Sequence, residues 1–182
     1  MKEQIKGKKL LVLGGTVDEI NLVKRAQKLG AYVIVTDYYE NRDISVAKTI
    51  ADEAWDVSWS DVPQIVQKCK DNKIDGITAG YSEIKIDYLI KICKCLDKPC
   101  YINEKQLEIT RNKKLFKEYC RSCNVPTVKE YVDVDSVDEY PVIVKPVDRS
   151  AAIGIHICHN HSKKGNEKQN PIAFQQFMKV EV

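Results

Sequence analysis

The first hundred residues alternate short apolar segments with segments of helical period, and this alternation restricts the possible folds more than any other feature of the chain. Residues 10–13 are continuously apolar and end in Gly14 and Gly15, which predicts a buried strand that enters a tight turn. Apolar residues then recur at helical spacing up to Leu29, and Gly30 is placed to end that helix in a left-handed conformation. The sequence therefore opens with a strand, a turn and a helix.

The same unit is repeated along the first part of the chain. Further strands are predicted at residues 32–36, 54–57, 74–79 and 100–102, and further helices at residues 44–51, from Asp61 onward, and at 84–96. Asp61 is the predicted N-cap of its helix, with Pro63 in the first turn. This alternation predicts an α/β fold over residues 1–103, a doubly wound, Rossmann-like parallel sheet of five strands.

The regular alternation of strands and helices ends at Glu104, where a second and smaller unit begins, over residues 104–182. A helix is predicted at residues 105–123, and strands at 127–134, 141–145, 154–158 and 172–178. Residues 159–170 are polar without periodicity and indicate a loop. The second unit is therefore expected to be a small α+β structure.

Charge and cysteine content exclude several classes of protein. The 182 residues carry 29 Lys and Arg against 26 Asp and Glu, a net charge of +3, and contain no block of like charge. This balance argues against a nucleic-acid partner. The apolar run at residues 10–13 is far too short for a signal peptide or a membrane span, so we expect a cytoplasmic protein without a membrane partner. Seven cysteines without a disulfide-framework pattern fit a reducing compartment, and no disulfide is predicted.

Three polar features lie where the predicted strands end. Gly14 and Gly15 could let backbone N–H groups approach a phosphate, or could simply form a tight turn. Asp37 follows the second strand and could accept a hydrogen bond from a ribose hydroxyl or cap a helix. The Tyr-Ser-Glu segment at residues 81–83 could contact substrate or cap the next helix. The residues alone leave these alternatives open.

Two lysines in the second unit occur in recognisable surroundings. One lies in Thr-Arg-Asn-Lys-Lys-Leu-Phe, with Lys113 three residues before Phe116, and the other in Tyr-Pro-Val-Ile-Val-Lys-Pro-Val-Asp, with Lys145 at the end of a strand. A Ser-Ala-Ala-Ile-Gly-Ile stretch at residues 150–155 follows the second lysine. The two lysine motifs and this stretch resemble the ATP-binding elements of the ATP-grasp superfamily.

The resemblance implies specific ATP contacts. Lys113, with Lys114 as its competitor, and Lys145 would neutralise phosphate charge, and the loop with Ser150 and Gly154 would fold over the phosphates. Residues 173–182 resemble the adenine hinge of the family. In that alignment Gln176 and Met178 would offer backbone groups to adenine, and Glu181 would hold the ribose.

The resemblance covers nearly the whole chain, because residues 1–103 also resemble the domain that precedes the grasp in carbamoyl-phosphate synthase large chains, biotin carboxylases and purine-pathway ligases. It implies an ATP-dependent carboxylate–amine ligase with an acyl-phosphate intermediate, small-molecule carboxylate and amine substrates, ATP and Mg²⁺ as cofactors, and a possible homodimer. The chain departs from the family pattern at Asn112, where aspartate is usual, and at Ala151 and Ala152.

The magnesium ligands of the family would lie beyond the last residue of this sequence, so no metal ligand and no catalytic residue is assigned. We therefore expect the 182-residue chain alone to bind ATP weakly and to lack turnover. The alternative function is a non-catalytic nucleotide-binding remnant or interaction module. A zinc site is a further possibility, with Cys120 and Cys123 followed by His156, Cys158, His159 and His161, but its spacing is irregular.

Overall fold

The computed structural model describes residues 5–80, 82–131, 135–146, 155–160 and 172–176, with side-chain surroundings through Val144 and for 155–160. It divides into two compact units, residues 1–104 and 105–182. Each unit is described by itself. None of the helices in the described ranges combines the length and apolar character that a membrane span requires.

The first unit is built on a parallel sheet of four strands. These are β1 (Lys9–Leu13), β2 (Tyr32–Thr36), β3 (Glu53–Trp55) and β4 (Gly76–Thr78), in the order β3-β2-β1-β4. Leu11, Val12 and Leu13 in β1 are fully buried, as are residues 33–36 in β2, because these two central strands are covered on both faces. The predicted parallel α/β fold is confirmed.

Three helices accompany this sheet: α1 (Ile20–Lys28), α2 (Val62–Asp71) and α3 (Glu83–Cys95). The predicted cap of α2 is confirmed, since the Asp61 carboxylate accepts a hydrogen bond from the Gln64 N–H at 3.1 Å. The α3 residues Ile86, Leu89, Ile90 and Cys93 are buried, as their helical spacing predicted. The helix periodicity therefore located the core-facing side of α3 correctly.

Two predicted elements of the first unit are absent. Residues 100–102 do not form a fifth strand. The Tyr101 hydroxyl instead donates to the Gly80 carbonyl at 2.9 Å. Pro99, just before this segment, has no N–H to donate to a neighbouring strand. The helix expected at residues 44–51 is only a 3₁₀ turn, Val46–Thr49. The Ala47 N–H donates to the carbonyl of Gly15, far away in the sequence, at 2.8 Å. It therefore does not take part in a regular α-helical hydrogen-bond pattern.

Four helix ends share one backbone arrangement in which a residue of positive φ reverses the chain. The prediction that Gly30 ends α1 is confirmed, with φ of 94°, but the equivalent positions are Lys73, Asp97 and Asn124, with φ of 53°, 51° and 57°. After Lys73 the Ile74 N–H returns to the Cys69 carbonyl at 3.0 Å. Three helices therefore end on a residue with a side chain at the position where glycine is favoured. The sequence pattern did not predict these three ends.

Replacing Lys73 by Gly is expected to raise the free energy of unfolding by up to about 1 kcal/mol, because a side chain in the left-handed region is strained. Urea denaturation followed by circular dichroism measures the change. Lys73→Ala is the control, since it removes the same side chain but keeps the strain and should give no gain. Equal stabilisation by both substitutions would place the effect in the lysine side chain instead.

The second unit contains helix α5 (Lys113–Ser122) and an antiparallel sheet, and α4 (Glu104–Arg111) begins at its boundary. The strands are β5 (Glu130–Tyr131), β6 (Val142–Pro146), β7 (His156–Cys158) and β8 (Ile172–Gln176), in the order β5-β8-β6-β7. The predicted strand at residues 172–178 is present up to Gln176, and its last two residues lie outside the described range. The single helix expected at residues 105–123 is instead two helices, α4 and α5.

Candidate functional site

The strand order of the first unit creates a crevice between the carboxyl ends of β1 and β4. The chain moves outward from β1 through β2 to β3, then returns to place β4 on the other side of β1. Ligands in open parallel sheets bind in the crevice where the strand order reverses in this way. A cavity of about 400 Å³ lies there, lined by Val17, Asp18, Glu19, Asn21, Leu22 and Gly80. We call this cavity the strand-end pocket.

The glycine pair at the edge of the strand-end pocket is required for two different reasons. Gly14 has φ of 108°, in a region that residues with side chains rarely adopt. A Cβ atom on Gly15 would lie 2.0 Å from the Ser45 hydroxyl oxygen. Glycine is thus needed at position 14 for the backbone conformation, and at position 15 because Ser45 lies too close for a Cβ atom.

The backbone donors of this turn are already bound to carboxylates of the protein. The Gly15 N–H donates to the buried Asp37 carboxylate at 2.7 Å, and the Thr16 N–H donates to Glu19 at 3.0 Å. With these two N–H groups engaged inside the protein, the turn agrees with the tight-turn interpretation, and the phosphate-loop interpretation stays a prediction. Asp37 holds the turn instead of facing a ribose or capping a helix.

An ion pair joins the glycine turn to α3. The Lys85 ammonium donates to the Glu19 carboxylate at 2.6 Å, and the two side chains are only 12% and 5% exposed. The Thr16 hydroxyl donates to the same carboxylate at 3.0 Å. Glu19 is therefore neutralised and accepts three hydrogen bonds, whereas Asp18 beside it has no ion-pair partner within the described part of the chain.

A fully buried lysine fixes the loop after β2. The Lys48 ammonium donates to the Asp37 carbonyl at 2.6 Å, the Tyr39 carbonyl at 2.7 Å and the Asp56 carboxylate at 2.8 Å, which uses all three of its protons. The Arg42 guanidinium also binds Asp56, through two hydrogen bonds of 2.6 and 3.1 Å. Arg42 and then Lys48 lower the pKa of Asp56 to about 2, despite the opposing effect of burial.

The sequence-predicted ATP residues fall on the second unit. Lys113 is the first residue of α5 and is partly buried, whereas Lys114 is exposed. Lys145 lies on β6 opposite Ala173, and Gln176 on β8 lies opposite Val142. Lys145 and Gln176 are thus on adjacent strands, three ladder positions apart, or about 10 Å along the strand direction. The other predicted contacts lie outside the described residues: Ser150, Gly154, Met178 and Glu181.

The departure from the family pattern at Asn112 has a structural explanation. Asn112 is the N-cap of α5, and its side-chain oxygen accepts hydrogen bonds from the Lys114 and Leu115 N–H groups at 3.0 and 3.1 Å. An aspartate oxygen can accept the same two bonds, so asparagine preserves the capping function. The side chain also explains why the predicted single helix is interrupted at this position.

Asn112→Ala is expected to lower the free energy of unfolding by about 1 kcal/mol, because the first turn of α5 loses its acceptor. Asn112→Asp is the matched variant and should be as stable as the parent or slightly more so, since a negative charge is favourable at a helix N-terminus. Thermal and urea unfolding of the three proteins measure the difference. An alanine variant as stable as the aspartate variant would contradict the capping role.

The metal sites considered from the sequence find no geometric support in the part of the structure that is described. Within those residues, no group of three or more His, Cys, Asp or Glu side chains is arranged to hold a metal ion. His161 of the zinc hypothesis lies outside them. No chemical step is therefore assigned to Mg²⁺ or Zn²⁺ on the described residues.

Comparison with curated proteins identifies relatives of the whole chain. No protein-family model matches the sequence. The chain is 28% identical over 159 residues to the formate-dependent phosphoribosylglycinamide formyltransferase of Prochlorococcus marinus, and 24% identical over 176 residues to the 3-methyl-D-ornithine–L-lysine ligase of Methanosarcina mazei. These alignments include 81% and 96% of this chain, but only 39% and 45% of the relatives. The chain therefore spans less than half of each.

Solved structures give the same result. The N5-carboxyaminoimidazole ribonucleotide synthetase of Thermotoga maritima matches with a TM-score of 0.71 and 25% identity, over 96% of this chain and 47% of its own. The corresponding Staphylococcus aureus enzyme, solved with ADP, matches with a TM-score of 0.69 and 18% identity, over 97% of this chain and 49% of its own. These relatives and neighbours are ATP-grasp ligases. They belong to the superfamily that the lysine motifs of this chain resemble.

Proposed function

We propose that this chain is part of an ATP-dependent carboxylate–amine ligase of the ATP-grasp type. The observation that carries the proposal is the match to the Thermotoga maritima synthetase, which extends over 96% of the chain and so includes both units in sequence order. In the reaction, a carboxylate oxygen attacks the γ-phosphorus of ATP and releases ADP, and an amine then attacks the acyl carbon and releases phosphate.

The two units have different roles in this proposal. Residues 1–103 are the doubly wound, Rossmann-like domain that precedes the grasp, and residues 104–182 are the first part of the ATP-binding lid. Lys113 and Lys145 offset phosphate charge, and the backbone at Gln176 faces the adenine edge. An assignment to the carbamoyl-phosphate synthase side of the superfamily and a cytoplasmic location belong to the same proposal. The resemblance implies Mg²⁺, whose ligands we place outside the described residues.

The strand-end pocket supports an amine, rather than a phosphorylated sugar, as the substrate group at this edge. The Gly15 and Thr16 N–H groups are bound to Asp37 and Glu19, and Lys85 is paired with Glu19. Asp18 contributes a carboxylate, and Val17 and Leu22 contribute apolar walls. A negative, partly apolar lining is complementary to an ammonium group on an aliphatic body.

Trapping of the acyl phosphate tests the proposed activity. The natural-length protein is incubated with ATP, Mg²⁺, hydroxylamine and a panel of carboxylates, and hydroxamate and ADP are measured. We expect both products to form together, and to be lost in Lys145→Ala and strongly reduced in Lys113→Ala. Lys114→Ala is the matched control and should retain activity, because it removes an exposed lysine one position further along α5.

The outcomes separate the candidate functions. ATP binding that depends on Lys145, without hydroxamate from any carboxylate, would favour the non-catalytic nucleotide-binding module. Hydroxamate formation that survives Lys145→Ala would show that the ATP site has been misplaced. The 182-residue chain assayed alone is expected to give no hydroxamate, because it spans less than half of each relative that it matches.

A further inference from the structure

A second cavity lies at the amino ends of the strands of the first sheet, and Leu22 lines both it and the strand-end pocket. It has a volume of about 520 Å³, within the range of small-molecule sites. It is bounded by the starts of β1 and β4 and by one side of α1. We call it the amino-end cavity, and it is lined by Ile5, Lys8, Lys9, Leu10, Leu22, Arg25, Ala26, Leu29, Ala31, Asp75 and Gly76.

The walls of the amino-end cavity are mainly aliphatic. Leu10 comes from β1, Leu22 and Ala26 come from α1, and Leu29 directly follows α1 as its C-cap. Gly76 opens β4 without a side chain, and a Cβ atom there would have only the Leu10 methyl group nearby, at 3.6 Å. An aliphatic chain can therefore lie against both the sheet and the helix.

The charged groups at the cavity are mostly positive, and the one carboxylate in its lining, Asp75, already accepts hydrogen bonds from the protein. Asp75 accepts from the Lys8 ammonium at 2.9 Å and from the Lys9 backbone N–H at 2.9 Å, and these bonds lower its pKa. The Lys9 ammonium donates to the Asn72 carbonyl at 3.1 Å. Three cations and one carboxylate leave the lining with a net positive charge.

Arg25 is the cation available to a ligand. It lies in the last turn of α1, is exposed, and has no ion-pair partner among the residues that the structure describes. Guanidinium groups bind carboxylates through two parallel hydrogen bonds, which gives both strength and orientation. A carboxylate at Arg25 would let its aliphatic chain enter between Leu22 and Leu29.

From these observations we infer that the amino-end cavity binds an amphipathic monocarboxylate, with the carboxylate on Arg25 and the aliphatic chain against α1 and β1. The site lies at the amino ends of the strands, whereas the proposed ligase substrates bind at their carboxyl ends. It is therefore distinct from the proposed ligase substrate site, although Leu22 lines both cavities, and its occupancy does not depend on ATP.

Three ligands of equal chain length test the inference on the 182-residue chain: octanoate, octan-1-ol and octylamine. Binding is measured by calorimetry and located by shifts of the Leu10 and Leu29 methyl resonances in NMR spectra, since these two residues line the amino-end cavity and not the strand-end pocket. We expect octanoate to bind most tightly, octan-1-ol less tightly and octylamine least, because the three differ in head-group charge and the cavity lining is positively charged.

Arg25→Gln is expected to weaken octanoate about tenfold or more and to leave octan-1-ol unchanged, as expected for loss of a charge-assisted hydrogen bond. Lys24→Gln is the matched control on the adjacent exposed position and should change neither ligand. Leu29→Asn should weaken both ligands. Three outcomes would overturn the inference: octylamine binding as tightly as octanoate, equal effects of Arg25→Gln and Lys24→Gln, or no saturable binding of octanoate.

Discussion

Replacing Lys48 by Met is expected to lower the free energy of unfolding by about 3–5 kcal/mol, because it leaves buried acceptors without their donor. The Lys48 side chain is completely buried, and its ammonium bonds the carbonyls of Asp37 and Tyr39 as well as the Asp56 carboxylate. Methionine fills a similar volume but donates no hydrogen bond. Asp56 keeps Arg42 as a partner, so most of the loss comes from the two carbonyls.

Urea denaturation of Lys48→Met and of Lys24→Met provides the comparison, since Lys24 is exposed on α1 and its substitution should change stability little. In amide hydrogen exchange, loss of protection in Lys48→Met should be greatest in the loop at residues 37–45. A loss below about 1 kcal/mol would mean that the loop is held by other contacts.

Gly15→Ala is expected to lower the free energy of unfolding by about 1–3 kcal/mol through overpacking. The new Cβ atom would lie 2.0 Å from the Ser45 hydroxyl oxygen and 3.1 Å from the Asp37 Cβ. Relieving these contacts requires the loop to move away from the turn. That movement would also lengthen the hydrogen bond from the Gly15 N–H to Asp37.

Ser45→Ala supplies the matched test, because it removes the oxygen atom responsible for the shortest contact. The Ser45 side chain is fully buried and its oxygen has no hydrogen-bond partner within the described residues, so the single substitution should cost little. In the Gly15→Ala/Ser45→Ala double variant, part of the lost stability should return, which a double-mutant cycle measures as a favourable coupling. Strictly additive effects would show that the clash is not with Ser45.

The parts of the fold that could be predicted are those set by local pattern. The continuously apolar β1, the glycine turn and the periodic α1 follow directly from residue spacing, and so does the cap at Asp61. Each depends on neighbours within a few positions. The second-unit strands were also located, for example β6 at residues 142–146 where 141–145 was predicted.

The parts that could not be predicted depend on partners far away in the sequence. Nothing in the residues around Lys48 distinguishes it from an exposed lysine, yet its acceptors bury it and shape the segment expected to be a helix. Asp37 was considered for ribose binding because its contact with Gly15, 22 residues earlier, appears only after folding. The capping function of Asn112, in contrast, could have been predicted, because asparagine is a common N-cap residue and its partners are only two and three positions away.

The internal bonding of the glycine turn has a consequence for ligand affinity. Because Asp37 and Glu19 already hold its N–H groups, and Lys85 joins it to α3, the turn is preorganised before any ligand arrives. A molecule entering the strand-end pocket therefore loses no binding free energy to the ordering of this backbone. Affinity there can be adjusted through exposed residues such as Val17 and Asp18, without altering the contacts that maintain the turn.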